Sequence, residues 1–134
     1  MKPRILIFSH GGLAEELLKV AYDITGKKSG VEALGVYRCQ SAESVKSRFS
    51  ETVERLVREG SLLVLTDMLG GTPSNITMRN LVSGRMEVVS GVNLPMLIVA
   101  LQKKDTVSDV KELASVVSRA GRRSCIDCRK EMGV

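Results

Sequence analysis

Tryptophan is absent from the 134 residues, and Phe and Tyr contribute only two each. So few rings offer no stacking surface for single-stranded nucleic acid. Long apolar runs are missing too. The longest, Leu94 to Leu101, falls far short of the roughly 18 residues that a membrane span needs. Near the N-terminus only Ile5 to Phe8 is apolar before Ser9 and His10, whereas a signal-peptide core takes about seven residues or more. A cytoplasmic protein without membrane insertion is therefore expected. Cysteine is scarce and odd in number, with Cys39 alone and Cys125 and Cys128 in a basic tail. That usage argues against a secreted disulfide framework. With no second pair and no histidine nearby, four zinc ligands are hard to assemble, so neither metal nor cofactor is expected. Strong charge of one sign is also lacking, since 20 basic against 15 acidic residues leave +5. Arg119, Arg122, Arg123, Arg129 and Lys130 near the end read as a solvated face rather than a nucleic-acid patch, and such a face is compatible with attraction to an acidic protein partner.

At 43% apolar and 26% charged residues the composition is that of an ordinary globular protein, and the length suits one domain over residues 1–134. Ile5 to Phe8 reads as a buried strand ending in a sharp turn. Leu13, Leu17, Leu18, Ala21 and Ile24 then recur at helical spacing up to Gly26. Val31 to Tyr37 is a second strand, interrupted by Gly35. Ser41 caps a helix with a buried stripe of Val45, Phe49, Val53 and Leu56, closed by Gly60. Leu62 to Leu65 is a third strand, delivering Thr66 and Asp67 at its end. Thr72 caps a helix opening at Pro73 and carrying Ile76, Met78 and Leu81 to about Gly84. Met86 to Ser90 is a fourth strand, and Pro95 opens a short helix to about Gln102. Thr106 and Asp109 form a capping-box variant for a last helix that ends at Gly121. Weak alternation around Cys125 to Cys128 predicts a fifth, antiparallel edge strand. Strand alternating with helix implies an α/β fold, a doubly wound and mainly parallel four-stranded sheet with helices on both faces.

In such sheets chemistry gathers beyond the carboxyl ends of the strands. Three polar segments fall there: Ser9 to Gly12, Asp67 to Pro73, and Gly91 to Asn93. His10 is the only histidine. A lone histidine is more often structural, but this one follows the first strand, and the glycines after it leave room above the ring. Asp67 ends the third strand, where the fold can bring its carboxylate beside the imidazole. A carboxylate accepting from one ring nitrogen fixes the tautomer and leaves the other as an oriented nucleophile or base. Gly70 and Gly71 let backbone approach an anion, the helix at Pro73 aims free N–H groups at it, and Thr72 adds a hydroxyl. Gly11 joins these three in the expected phosphoryl cradle. Beside an oriented histidine, such a cradle suggests phosphoryl transfer. Rival chemistries fail on residue counts. A second histidine for an Arg-His-Gly phosphatase is missing, as are Gly-x-Ser-x-Gly, dinucleotide and P-loop glycine patterns. A receiver domain needs acidic residues after the first strand, where Ser9 and His10 stand.

With His10 after the first strand, Asp67 followed by Met-Leu-Gly-Gly-Thr-Pro-Ser-Asn, and Gly91-Val92-Asn93-Leu94-Pro95-Met96 further on, the chain resembles the IIA component of the mannose-family bacterial phosphotransferase system. The similarity is strongest over residues 4–100. It implies a doubly wound dimeric domain whose C-terminal strand is exchanged between subunits. His10 then matches the phosphorylated histidine, Asp67 its orienting carboxylate and Thr72 the hydroxyl at the transferring phosphoryl group. The implied donor is the phosphocarrier HPr and the implied acceptor a IIB protein, with membrane IIC and IID components as further associates. Familiar sugar-transporting versions often fuse IIA to IIB, whereas this sequence stops at Val134; a free-standing IIA is consistent with sugar uptake and also with a regulatory branch that imports no sugar. Two other readings stand beside the carrier: a IIA-like phosphoryl donor to a dihydroxyacetone kinase, and a non-catalytic anion-sensing or interaction module. Asp67 discriminates against the last, because a simple anion site gains nothing from a carboxylate aimed at it.

Overall fold

The computed structural model describes residues 2–27 and 29–134. Its elements run β1 (Arg4–His10), α1 (Leu13–Thr25), β2 (Val31–Val36), α2 (Ala42–Glu59), β3 (Leu62–Thr66), α3 (Thr72–Arg79), β4 (Met86–Ser90), α4 (Leu94–Lys103), α5 (Val110–Ser124) and α6 (Cys128–Met132). The strands form one parallel sheet in the order β2-β1-β3-β4. The chain thus steps from β1 to one side and returns to the other, leaving a topological switch point between β1 and β3.

Alternate residues of the inner strands face opposite ways, which is why Leu62 to Leu65 can be apolar without a break. Ile5, Ile7, Leu63 and Leu65 pack with α1, α4 and α5, where Leu97, Leu101, Leu113 and Val117 are buried. Leu6, Phe8, Leu62 and Val64 pack with α2 and α3 through Phe49, Leu56 and Ile76. The Phe8 and Phe49 rings stack at 4.8 Å between centroids. The α2 stripe of Val45, Phe49, Val53 and Leu56 is buried as its spacing requires, and Ser41 caps the helix by accepting from the Ser44 N–H.

The departures are local and have physical reasons. No fifth strand forms among the described residues. Asp127 instead caps α6 by accepting from the Lys130 N–H, and Cys-Arg-Lys-Glu-Met has no buried partner for an alternating face. Gly121 does not end α5, which runs on to Ser124. Its missing side chain admits Met96, whose Sδ would lie 2.5 Å from a Cβ placed there. Asp109, not Thr106, caps α5, accepting from the Glu112 N–H while Glu112 accepts from the Ser108 N–H. The cap thus falls three residues after Thr106, and the Glu112 carboxylate reaches back to the residue before it and not to the cap's own N–H. Helix α3 ends at Arg79, so Leu81 lies beyond it, and both Leu81 and Met78 are exposed.

Candidate functional site

Strands β1 and β3 are neighbours in register, with Phe8 opposite Thr66. His10 and Asp67 therefore emerge side by side at the switch point. The pairing is tight. Asp67 Oδ2 accepts from the His10 backbone N–H at 2.9 Å and lies 2.7 Å from His10 Nδ1, while Oδ1 accepts from the Met68 N–H at 2.9 Å. With Nδ1 donating to Asp67, the lone pair of a neutral ring sits on Nε2. The carboxylate is sunk, with a side chain 11% accessible, whereas the imidazole is 47% accessible. The buried group orients and the exposed one reaches out.

Burial works to raise the Asp67 carboxyl, but the His10 backbone N–H, the His10 ring and the Met68 N–H together outweigh it and hold the group below its ordinary value of 3.8. A carboxyl depressed by folding adds stability above its unfolded pKa and loses it as pH falls through the folded one. The His10–Asp67 pair should accordingly persist through the ordinary carboxylate range on acidification. A carbon-13 NMR titration of the Asp67 carboxyl checks this: the midpoint is expected below 3.8, and an ordinary midpoint would mean the pairing adds nothing.

The loops around the ring are shaped by close approach. Gly71 lies against the imidazole, and a Cβ built there would be 2.7 Å from His10 Cε1. Gly11 is held at φ +52 with its N–H donating to Val36 O at 2.8 Å. Two contributors escape the sequence reading. Ser9 Oγ is buried, accepts from the Ala14 N–H at 2.8 Å and donates to the His10 carbonyl at 3.1 Å, fastening the start of α1 to the end of β1. Gly35 is no mere interruption of β2, since a Cβ there would meet Gly11 O at 2.2 Å. A glycine inside a strand is a known sign of close backbone approach, so this signal was present. Ser9 carried none beyond being a small hydroxyl before a turn.

Thr72 is the first residue of α3, not its cap. Gly71 holds the N-cap position, with no side-chain cap bond. The Thr72 hydroxyl thus has no structural task at the helix end. The start of α3 likewise has no side-chain cap bond. Of the three polar segments, two meet at the imidazole. The third is architectural: Gly91 and Val92 donate to Thr66 O, and Asn93 caps α4 by accepting from the Met96 N–H. The three cysteines are exposed and free. Among the described residues no group of three His, Cys, Asp or Glu could hold a metal ion, and no helix is long and apolar enough to cross a membrane.

The class defined so far is a parallel α/β domain that presents one carboxylate-oriented histidine at its switch point beside an uncapped helix start. Residues 4–117 match the EIIA-man family model, described as the PTS system fructose IIA component, and the chain belongs to that family. It is 32% identical over 119 residues to the PTS system mannose-specific EIIAB component of Escherichia coli (strain K12), a match covering 88% of this chain and 37% of that protein. The chain thus spans little more than a third of that relative's length. Among solved structures, the mannose/sorbose-specific IIA subunit of the phosphotransferase system from Enterococcus faecalis superposes with a TM-score of 0.82 at 29% identity, covering 94% of each chain. The PTS IIA protein associated with the fucose utilization operon from Streptococcus pneumoniae shares the fold, with a TM-score of 0.87 at 24% identity over 98% of this chain and 97% of that one.

Proposed function

We propose that this chain is a cytoplasmic phosphocarrier that accepts a phosphoryl group on His10 from phospho-HPr and passes it to a IIB protein. The reading covers one domain, residues 1–134, working as a homodimer in sugar uptake or its regulation, alongside membrane IIC and IID components. The observation that carries it is the 2.7 Å contact between Asp67 and His10 Nδ1, which directs the opposite nitrogen outward as a nucleophile. Family membership over residues 4–117 supports the same chemistry. Transfer balances simply: the lone pair of Nε2 forms the new P–N bond as the donor's phosphoryl bond breaks, and Asp67 stabilises the positive charge growing on the ring. Gly11, Gly70, Gly71 and Thr72 are the groups proposed around the phosphoryl oxygens. No metal or cofactor enters this scheme. C-terminal strand exchange is not part of it, because the tail carries α6 and no strand among the described residues.

Incubation with phosphoenolpyruvate, enzyme I and HPr tests the proposal. An acid-labile, base-stable phosphoryl adduct is the expected product. A chain that stays unlabelled while HPr is labelled would leave an anion-sensing module as the better reading.

Thr72 offers a finer test. Its side chain is exposed and caps nothing, so Thr72→Ala should cost less than about 0.5 kcal/mol of stability. Loss of one preorganised donor to the phosphoryl group should slow transfer roughly ten- to a thousandfold. Thr72→Ser keeps the hydroxyl and should stay near wild type. Rapid-quench transfer rates and denaturant unfolding on both variants decide the matter. A fully active Thr72→Ala chain would leave the backbone N–H groups at Gly71 and beyond as the anion donors.

A further inference from the structure

The loop from Met68 to Gly71 has to be both pliable and fixed. Gly71 must be glycine, because a Cβ there would meet His10 Cε1 at 2.7 Å, and Gly70 stands at φ +86. The backbone that touches the imidazole therefore runs through two successive glycines, the least restrained residues a chain can use. Packing does not hold it, since Met68 and Leu69 are exposed. Its own turn bond, from the Gly71 N–H to Met68 O, is long at 3.4 Å. One end of the loop is anchored where the Met68 N–H donates to Asp67 Oδ1. The other end is anchored by Asn75. Its backbone N–H donates to Gly71 O at 2.9 Å, and its side-chain Nδ2 donates to Gly70 O at 3.2 Å.

Asn75 belongs to α3, and its side chain reaches back past the helix start to a residue outside the helix. The side chain is exposed, so it serves no core. Its amide can face the loop in one sense only, because the reverse would set Oδ1 against Gly70 O. The bond thus turns the Gly70 carbonyl toward α3. Released, that carbonyl is free to rotate on the glycine pair and set its oxygen against the negative oxygens of a phosphoryl group, where donors are needed. Asn80 provides a contrast at the other end of α3. Its Nδ2 donates to Ile76 O at 2.7 Å, a carbonyl of the helix itself.

We propose that Asn75 is a positioning residue for transfer at His10: its side chain locks the Gly70 carbonyl and so keeps Gly71 seated against the imidazole. The inference rests on the carrier reading above and adds a residue that acts through Gly70 and Gly71. A brace of this kind sets rate more than affinity. It holds the reacting groups in register, and a displacement of about 1 Å in such a site can cost about a hundredfold.

The test uses the full chain with phospho-HPr as the donor. In Asn75→Ala, phosphoryl uptake at saturating donor should slow roughly ten- to a hundredfold. KM should stay within about twofold, and the unfolding midpoint close to wild type, as for an exposed side chain. Asn75→Leu keeps the shape without the donor or any new charge, and should behave alike. Asn80→Ala removes a comparable bond from the same helix and should leave the rate within about twofold. A second readout needs no transfer. His10 is the only histidine, so its Cε1–H gives a single NMR resonance, and the Gly71 backbone lies against that carbon. The resonance should move in both Asn75 variants and stay in place in Asn80→Ala. Wild-type rates in the Asn75 variants would overturn the positioning role while a labelled wild type kept the carrier intact. A raised KM at an unchanged rate would make Asn75 a contact with the donor protein and overturn it too. So would an equal slowing in Asn80→Ala, which would assign the loss to a loosened α3, or slowing with an unmoved Cε1–H resonance. A wild-type chain that takes up no phosphoryl group would strike the carrier reading itself, and this role with it.

Discussion

The His10→Ala chain is expected to take up no phosphoryl group above background from phospho-HPr, while its fold and unfolding midpoint stay close to wild type. His10 is the sole histidine, so no second imidazole can substitute, and its exposed ring does not support the core. The substitution does remove the ring partner of Asp67, but the carboxylate keeps the backbone N–H groups of residue 10 and Met68, so it is not stranded. That retention is why stability should survive a change that removes the chemistry. The adduct's lability in acid and persistence in base identify a nitrogen-bound phosphoryl group, as opposed to an ester on Thr72 or Ser74. Phosphohistidine chemistry persisting in the alanine variant would be inconsistent with the sequence itself. A base-labile aspartyl phosphate in wild type would transfer the role to Asp67.

The meeting of His10 and Asp67 is legible in the sequence, because an α/β pattern sends both residues to the carboxyl ends of their strands. A four-strand α/β pattern places residues at strand ends, and His10 and Asp67 follow the first and third apolar runs, which become neighbours in the order β2-β1-β3-β4. What could not be read was the capping residue at the starts of α3 and α5. Thr72 and Pro73 look like a cap and first residue, yet Gly71 takes the cap position because the chain must pass flat against the imidazole, where a side chain does not fit. Gly121 resembles a helix stop, but Met96 on α4 fills the space above it and the helix continues. The tail offered too few residues for pattern to decide. Around Cys125 to Cys128 a weak alternation lost to a local cap at Asp127, since no neighbouring strand holds the segment extended. Ser9 was hidden for another reason: its role depends on the distance between the end of β1 and the N–H of Ala14. Such a distance follows from packing and leaves no period or spacing in the chain.

Asp67→Asn carries the second large effect, and its outcome follows from donor arithmetic. Three donors converge on two carboxylate oxygens: the His10 N–H and ring Nδ1 on Oδ2, and the Met68 N–H on Oδ1. An amide has one acceptor oxygen and one donor nitrogen. If its oxygen faces His10, its NH2 group opposes the Met68 N–H. If it turns, the NH2 group opposes the His10 N–H and donates to Nδ1, which then must accept and leaves the proton on Nε2, blocking the nucleophile. Either orientation sets one donor against another in a poorly solvated corner, costing about 1–3 kcal/mol of stability. Neither orientation restores the negative charge that stabilises the ring as it becomes cationic on phosphoryl uptake. Transfer should therefore fall by roughly a hundred- to ten-thousandfold, with KM for the donor protein near wild type, since Asp67 is sunk and makes no surface for docking. Nitrogen-15 NMR of the single histidine reads the tautomer directly and should show protonation spread between both nitrogens, in place of the Nδ1 form of the wild type. A wild-type transfer rate would reduce Asp67 to a loop brace. A slowed rate with an unaltered tautomer would assign its contribution to charge alone.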